Sequence, residues 1–488
     1  MSTVRVRIAP SPTGALHIGT ARAALFNYLF ARHIGGKFII RIEDTDLLRS
    51  DPKFEKNILE GLMRLGIDAD ESPLSGGPYG PYRQTERTES YTHYLKKLLK
   101  EEKVFYCFHT EAELEDEKNK LREAKRPQLH LCEYRTLDPK EAKTLAETNL
   151  NHVIRFKTPV DRKITFHDLI RGELSFGSDL LGDFSIAKKL DVPLYHFAVV
   201  VDDETMDITH VIRGEDHITN TPKHILLIEA LGFRMPRYAH LPLVLGNDRS
   251  KLSKRHGAKS IDEYLTEGYL PEALCNFIAL LGWNPGDNRE ILSKEELINE
   301  FSLEKVQKAG AVFDFAKLDW MNGEYIRKTS IEELLKLVTP YIEPLLTATQ
   351  MQNEKFKMEY LQKVIALEQP RLKKLSELPE RIDYFFKEPE YDAMLLIWKK
   401  MTNSEICQSL EQAGSLLEEN RSEHITKIKE IFLDRGKAMG DKGKLLWPLR
   451  VAFSGKKSSP DPFEILEVIG IDEGIARIHL AIKKVIYT

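Results

Sequence analysis

Apolar residues in the first half of the chain form short continuous runs, separated by stretches with a helical period. Val4–Ala9 and Lys37–Ile42 are two such runs, and their length and continuity indicate parallel strands buried on both faces. Between them a Pro/Gly turn leads into a predicted helix that follows His17 and ends at Gly35-Gly36. Together they predict a βαβ unit, and a second half of the same open sheet is predicted near residues 192–246.

The last third of the chain has a different pattern. From about Ile331 onward, apolar residues recur at spacings of three and four. The positions that show this spacing best are Leu334, Leu335, Val338, Ile425, Ile428, Ile431 and Phe432. We therefore expect this region to be all-helical.

The stretch between the two halves of the sheet mixes charged helical segments, such as Glu111–Glu123, with strand-like pieces, such as His152–Lys157. We interpret it as an α+β insertion. The predicted fold is therefore a Rossmann-like α/β parallel sheet with an insertion, followed by an all-α C-terminal region. The predicted domains are the first half of the sheet at residues 1–86, the insertion at 87–191, the second half at 192–246, a domain with a lysine loop at 247–329, and the helical region at 330–488.

Composition excludes several classes of protein. A chain of 488 residues is too long to fold around one hydrophobic core. A content of 42% hydrophobic and 30% charged residues is ordinary for a globular protein. Apolar runs such as Phe277–Trp283 are too short to span a membrane. Four cysteines are too few for a disulfide scaffold and suit a reducing cytoplasm. A net charge of −4 means that any nucleic acid must be held by local basic faces.

Two motifs far apart in the chain are suited to binding phosphate. His17 and Gly19 lie near a predicted helix N-terminus, where free backbone N–H groups and the helix dipole favour a phosphate, and Gly19 lets a planar base approach the backbone. Lys251 and Lys254 lie in a Ser-containing loop and could hold phosphate charge that develops during a reaction. The P-loop motif is absent, which disfavours a P-loop hydrolase. The pair therefore indicates one nucleotide site closed from both sides.

This pair resembles the HIGH-type and KMSKS-type signatures of class I aminoacyl-tRNA synthetases. The surrounding sequence is more specific, and it resembles the glutamyl-tRNA synthetase family, in the family's order, at residues 7–14, 41–46, 80–87, 211–217 and 320–327. The resemblance covers essentially the whole chain. It implies a cytoplasmic, monomeric ligase that uses ATP with Mg²⁺ to join L-glutamate to tRNA(Glu), with no membrane partner. The first signature ends in Thr20, where a second histidine stands in other class I enzymes, as is common among glutamyl-type enzymes.

A glutamate site needs cationic partners for two carboxylates and an anionic partner for the ammonium. Arg7 and Arg213 lie at the ends of predicted strands, where ligands bind in such sheets, and an arginine fork matches a carboxylate. Glu43, at the end of the second strand, would receive the ammonium. The resemblance assigns glutamate binding to Arg7, Ala9, Ser11, Glu43, Tyr195 and Arg213. It assigns ATP binding to His17, Gly19, Thr20, Asp216, His217, Lys251 and Lys254, with His17 and Lys254 also catalytic.

A Cys/His cluster in the insertion suggests a zinc site. Cys107, His109, His130 and Cys132 form a C-x-H and H-x-C pair, and thiolates with imidazoles suit tetrahedral Zn²⁺. The resemblance implies zinc here in many bacterial relatives, which carry a C-x-C pair where this chain has Cys107 and His109. Tyr134 is an alternative to His130 as fourth ligand. Two ordinary cysteines beside solvated histidines remain the other interpretation.

Arginines in the helical region are candidates for reading the anticodon. The resemblance assigns this role to Arg371 and Arg450, and it aligns Arg371 with the arginine that favours C over G at the third anticodon position. Whether tRNA(Gln) is also charged stays open. Three alternatives fit less well. A glutaminyl-tRNA synthetase has a β-barrel anticodon module, and a short tRNA-modifying relative lacks the last third. An RNA-binding relative without catalysis is disfavoured by the intact His17, Glu43, Arg213 and Lys254.

Overall fold

The computed structural model describes residues 3–125, 129–130, 132–149, 151–347 and 354–487. The chain divides into two compact units. The first comprises Met1–Leu265 and Pro271–Leu318, and the second comprises Thr266–Leu270 and Asp319–Thr488. The boundary near residue 319 lies about ten residues before the predicted start of the helical region at 330.

The first unit contains the strands. They are β1 Arg5–Ile8, β2 Lys37–Ile40, β3 Val104–Cys107, β4 Val153–Phe156, β5 Lys163–Asp168, β6 Gly172–Gly177, β7 Ser185–Lys189, β8 Val192–Pro193, β9 His210–Gly214, β10 Arg237–Leu241, β11 Val244–Leu245 and β12 Ala311–Val312. The main sheet has the order β2-β1-β9-β10-β5-β6, with parallel pairing from β2 to β5 and an antiparallel β5–β6 hairpin at its edge. A separate antiparallel sheet has the order β3-β4-β7-β8, and β11 pairs with β12.

Helices surround the sheets and form the second unit. Those before residue 330 are α1 Ile18–His33, α2 Pro52–Arg64, α3 Thr88–Lys100, α4 Glu111–Glu123, α5 Pro139–Thr148, α6 Tyr195–Thr205, α7 Thr221–Leu231, α8 Ile261–Thr266, α9 Pro271–Ala279, α10 Lys294–Glu300 and α11 Phe315–Lys328. Those after it are α12 Ile331–Thr347, α13 Glu354–Glu368, α14 Leu378–Ile382, α15 Asn403–Glu419, α16 Ile425–Ala438, α17 Gly443–Ser454, α18 Pro462–Ile469 and α19 Ile471–Ile486.

The β5–β6 hairpin departs from the predicted division. It lies within residues 87–191, yet Asp168 of β5 pairs with Tyr238 of β10, so this hairpin extends the main sheet. Exposed and buried residues alternate along β5, as in any strand with one face buried. This alternation does not indicate which sheet the strand joins. The predicted insertion therefore contributes both its own antiparallel sheet and one edge of the main sheet.

The predicted fold class is confirmed. In the first unit α1 lies against the parallel strands, and its side chains Phe26 and Leu29 are fully buried. In the second unit α15, α17 and α19 pack on one another, and the described residues from 319 to 487 contain helices but no strand. Of the helices that the structure describes, none combines the length and apolar content that crossing a membrane demands.

Candidate active site

His17 caps the helix that follows the first strand. Its Nδ1 accepts hydrogen bonds from the backbone N–H groups of Gly19 (3.1 Å) and Thr20 (3.3 Å), and Thr20 Oγ1 lies 3.2 Å from its Nε2. A Cβ at Gly19 would lie 3.1 Å from the imidazole, so glycine gives the ring its room. The amides predicted to be free for a phosphate are therefore taken by the His17 ring in this state, as an N-cap requires.

The lysine loop lies beside this turn. Ile261 donates its backbone N–H to Leu16 O at 2.9 Å, and His17 bridges to Ser260, so the chain just after the loop is tied to the first motif. Loss of solvent, and then the positive charge of Lys251, lower the pKa of His17, while Asp216 opposes them. Lys251 Nζ lies 3.0 Å from Asp216 Oδ2.

Lys254 differs from Lys251. It begins a short 3₁₀ turn, its side chain is exposed, and it forms no ion pair in the described part of the chain. The structure thus brings His17, Lys251 and Asp216 together across more than 200 residues of sequence. Among the residues that the structure describes, the ammonium of Lys254 forms no ion pair, although its charge helps to lower the pKa of Glu263.

Arg7 and Glu43 lie in a buried network of charges. Arg7 donates from Nε and Nη2 to the two oxygens of Asp203, each at 3.1 Å. Arg41, fully buried, donates to Asp203 (2.7 Å) and to Glu43 (3.1 Å). Burial raises the pKa of Glu43 to about 7, although Arg41 and Arg7 act to lower it. Burial also acts to raise the pKa of Asp203, but Arg7 and Arg41 outweigh it and hold that pKa below its usual value.

Two further predicted residues are the chain neighbours of Pro10, which contacts Glu43. The backbone N–H of Glu43 donates to Pro10 O at 3.0 Å, which places the half-buried Ala9 and the exposed Ser11 on either side of this contact.

Arg213 is a buried guanidinium whose hydrogen-bond partners among the described residues are histidines, a hydroxyl and a backbone carbonyl, although the charges of Arg7 and Asp203 also act on it. Nε donates to His240 Nε2 (3.2 Å), and Nη2 donates to Thr221 Oγ1 (2.8 Å) and to His217 O (3.3 Å). Nη1 lies 3.4 Å from His224 Nδ1. Among the described residues no carboxylate lies within salt-bridge distance of Arg213, and burial lowers its pKa. A buried cation without a paired anion is unfavourable, so this position calls for an anionic ligand.

Tyr195 and His217 complete the group. Tyr195 Oη lies 3.0 Å from His217 Nδ1. Burial, and then the charge of Glu43, raise the pKa of Tyr195 to about 12, and Arg213 and Arg7 oppose this. Tyr195 therefore lies within electrostatic range of Glu43, Arg213 and Arg7, three other residues of the predicted glutamate site. Burial, and then Arg213, lower the pKa of His217 to about 4.

Several residues of this site were missed in the sequence. Asp202 and Asp203 close the apolar run of α6, and Asp202 accepts from Arg87 Nε (2.7 Å), Gln84 Nε2 (2.9 Å) and Tyr91 Oη (3.0 Å). Two adjacent carboxylates at the end of an apolar helix are a usable signal, because they need buried cationic partners. The partners themselves lie more than 100 residues away and have no local signal.

The four predicted metal ligands meet in the small antiparallel sheet region. Their ligand atoms lie within 4.8 Å of one another. Cys107 Sγ lies 3.4 Å from His109 Nδ1 and 3.8 Å from His130 Nε2, and Cys132 Sγ lies 3.7 Å from His109 Nδ1. His130 Nδ1 contacts Glu117 Oε2 at 2.5 Å. The ring of Tyr134, the alternative ligand, packs edge-on against His109 with centroids 5.1 Å apart.

The two predicted anticodon residues lie in the helical unit. Arg371 Nη1 donates to the buried carboxylate of Glu368 (3.1 Å and 3.3 Å), and Nη2 donates to Ser458 Oγ (2.6 Å). Arg450 is half-buried on α17.

Comparison with known proteins matches both units. The catalytic domain of the class I tRNA synthetases (E and Q) matches residues 3–320, and an anticodon binding domain matches residues 333–482. The glutamate–tRNA ligase of Carboxydothermus hydrogenoformans is 46% identical, over 97% of this chain and 99% of its own. That of Desulforamulus reducens is 44% identical, over 99% of this chain and 100% of its own.

The chain belongs to the glutamyl-tRNA synthetase family.

A solved glutamyl-tRNA synthetase agrees with this assignment. The glutamate tRNA ligase of Elizabethkingia meningosepticum, crystallised with its amino acid, has a TM-score of 0.87 and 37% identity over 99% of both chains. The synthetase catalytic match contains every candidate residue from Arg7 to Lys254, and the anticodon match contains Arg371 and Arg450.

Proposed function

We propose that the protein joins L-glutamate to tRNA(Glu) in two ATP-dependent steps. In the first, an α-carboxylate oxygen of glutamate attacks the α-phosphorus of ATP, pyrophosphate leaves, and glutamyl-adenylate forms. In the second, a hydroxyl of the 3′-terminal ribose of the tRNA attacks the activated carbonyl, loses its proton, and AMP leaves. The protein contributes by positioning the reactants and stabilising phosphate charge.

The observation that carries this proposal is the buried guanidinium of Arg213, which forms no ion pair with a carboxylate in the part of the chain that the structure describes. A glutamate side chain would supply the missing anion, whereas glutamine would not. Arg7 and Glu43, in the same charge network, would orient the remaining carboxylate and the ammonium, with Tyr195, Ala9 and Ser11 lining the ligand.

The nucleotide would lie between the first turn and the lysine loop. We assign ATP contacts to His17, Gly19, Thr20, Asp216, His217 and Lys251. Lys254 would neutralise the pentavalent phosphorus and the leaving pyrophosphate, since its ammonium is exposed and has no carboxylate partner among the described residues. Mg²⁺ would arrive on the ATP phosphates, as it commonly does in nucleotide sites.

The Cys/His cluster fits zinc. Ligand atoms bound to one tetrahedral Zn²⁺ lie about 3.3–3.8 Å apart, given bond lengths of about 2.0–2.3 Å. The contacts of 3.4, 3.7 and 3.8 Å match this geometry. Glu117 would accept a hydrogen bond from Nδ1 of His130, which would leave Nε2 of that ring to bind the metal. Histidines that bind zinc commonly donate their other ring N–H to a carboxylate in this way. Zinc here would hold the insertion together, and Cys107, His109, His130 and Cys132 would be its ligands.

The remaining expectations concern tRNA and the state of the protein. We propose that the insertion contacts the acceptor end and that Arg371 and Arg450 read the anticodon. A monomer in the cytoplasm stays a prediction, and so does the division into five domains.

The direct test is ATP-dependent attachment of labelled glutamate to total tRNA, with glutamine as the parallel amino acid. We expect glutamate alone to be attached. Failure to charge any tRNA at saturating ATP and glutamate would favour an RNA-binding relative without catalysis. Attachment of glutamine instead would favour the glutaminyl branch, against which the helical second unit already argues.

A further inference from the structure

Three neighbouring strands bring three buried polar side chains into line. Asp168 ends β5, His240 lies on β10 and Arg213 lies on β9. His240 is directly opposite Arg213 in the sheet register, and β10 also pairs with β5 at Asp168. Asp168 and His240 are fully buried, and Arg213 is 7% exposed. His240 therefore stands between the carboxylate and the guanidinium.

The hydrogen bonds of His240 determine its tautomer. Asp168 Oδ2 lies 2.7 Å from His240 Nδ1 and also accepts from the His240 backbone N–H at 3.0 Å. The other oxygen, Oδ1, accepts from the backbone N–H groups of Ile170 and Arg171. Since a carboxylate only accepts and a guanidinium only donates, Nδ1 must carry the proton, and the unprotonated Nε2 accepts from Arg213 Nε. Thr221 Oγ1 lies 3.1 Å from the same nitrogen.

We propose that Asp168 and His240 are positioning residues that orient Arg213 toward the side-chain carboxylate of the amino acid. His240 fixes the Nε edge of the guanidinium, and Thr221 fixes Nη2. Among the described residues, Nη1 makes one contact, at 3.4 Å with His224 Nδ1, so the Nη1 side is the part of the fork left for a carboxylate. This inference rests on the proposed function and adds the residues that make its specificity.

Asp168→Asn tests the hydrogen-bonded chain from Asp168 through His240 to Arg213, because it changes the side-chain volume very little. Each Asp168 oxygen accepts from two donors, so the new NH₂ group must face a donor whichever way the amide lies. If the NH₂ group faces His240, it donates to Nδ1, and the imidazole proton must then lie on Nε2. There it faces the N–H of Arg213, which is the effect of losing an aspartate that fixes a tautomer. In glutamate-dependent pyrophosphate exchange with tRNA present, we expect a rise of about 10- to 100-fold in the KM for glutamate, with the KM for ATP nearly unchanged.

Two substitutions at His240 separate positioning from packing. His240→Gln can place an amide oxygen near the Nε2 position, whereas His240→Phe fills the space without an acceptor. We expect the glutamine variant to keep a KM for glutamate much closer to wild type than the phenylalanine variant. If Asp168→Asn does not fold, the comparison of His240→Gln with His240→Phe tests the proposal without it.

Ile164→Ala is the matched control, because Ile164 is a buried core residue of the same strand β5. It should lower the melting temperature without raising the KM for glutamate relative to ATP. The proposal is overturned if the variants at Asp168 and His240 change the KM for glutamate and the KM for ATP equally. It is also overturned if His240→Gln and His240→Phe have the same KM for glutamate. A wild-type protein without glutamate-dependent exchange would overturn the proposed function itself, which is a distinguishable result.

Discussion

Glu43 shows at the scale of one residue how burial can make ligand binding depend on pH. Burial raises its pKa to about 7, with Arg41 and Arg7 in opposition. The proposed ammonium contact needs the ionised carboxylate. We therefore expect the KM for glutamate to fall as the pH rises through about 7, and Glu43→Gln to raise the KM and flatten this profile. A wild-type KM that is constant from pH 6 to 8 would contradict the role, and the exposed Glu60→Gln is the control.

The same carboxylate should affect stability with a definite sign. The pKa of Glu43 is higher in the folded state than in the unfolded state, so the folded state binds the proton more tightly. The stabilisation that comes from this bound proton is lost as the pH rises from about 4.5 to about 7. Relative to wild type, Glu43→Gln should therefore gain stability over this window, up to about 3 kcal/mol. Urea unfolding at pH 4.5 and pH 8 measures the difference, and an equal effect at both values would refute it.

Arg213 is the residue on which substrate choice depends. Arg213→Gln removes the buried cation, and we expect kcat/KM for glutamate to fall by at least about 100-fold, since each charge-assisted hydrogen bond is worth about 1.5–3 kcal/mol. The preference over glutamine should shrink as well. Arg234→Gln, at an exposed ion pair with Asp207, controls for loss of an arginine. Unchanged discrimination would mean that another residue selects the side chain.

At the scale of an element, the lysine loop offers a matched pair of substitutions. Lys251 is paired with Asp216, whereas Lys254 is exposed and lacks a carboxylate among the described residues. Lys254→Ala should lower the rate of glutamate activation by about 100- to 1,000-fold with little change in the KM for glutamate, because its contact forms mainly in the transition state. Lys251→Ala should have a smaller effect. A change confined to KM in Lys254→Ala would contradict the assignment.

The insertion is the element that the Cys/His cluster would stabilise. Protein purified without chelator should contain about one zinc per chain, as four closed protein ligands hold a structural metal. Cys132→Ala should lose most of it, while Cys407→Ala, a free cysteine of the helical unit, should retain it. Zinc near zero in the wild type, even after zinc is added, would reject the site.

At the scale of the whole molecule, the choice of tRNA depends on the helical unit. Arg371, fixed by Glu368 and Ser458, can donate to cytosine but meets an N–H donor on the Watson–Crick edge of guanine. That mismatch should favour tRNA(Glu) over tRNA(Gln) by about 5- to 150-fold. Charging of the two purified tRNAs measures the ratio, and Arg371→Ala should reduce it. Equal kcat/KM values would overturn this assignment and leave the ligase activity intact.

Local sequence determined much of this protein. Apolar runs located β1 and β2, and three- and four-residue spacing located the helical second unit. The family motifs indicated the family, and the roles that they assign to residues from Arg7 to Lys254 stay predictions. Such features depend on neighbouring residues along the chain, so they are visible without a fold.

Tertiary structure alone decided how those residues are held. Asp203 occupies two donors of Arg7, the His17 ring takes the amides expected for a phosphate, and Asp168 reaches Arg213 through His240. It also decided that the β5–β6 hairpin joins the main sheet. The physical reason is the same for most of these: a buried charge or backbone edge must be paired, but its partner comes from up to about 200 residues away, and no local pattern encodes that distance.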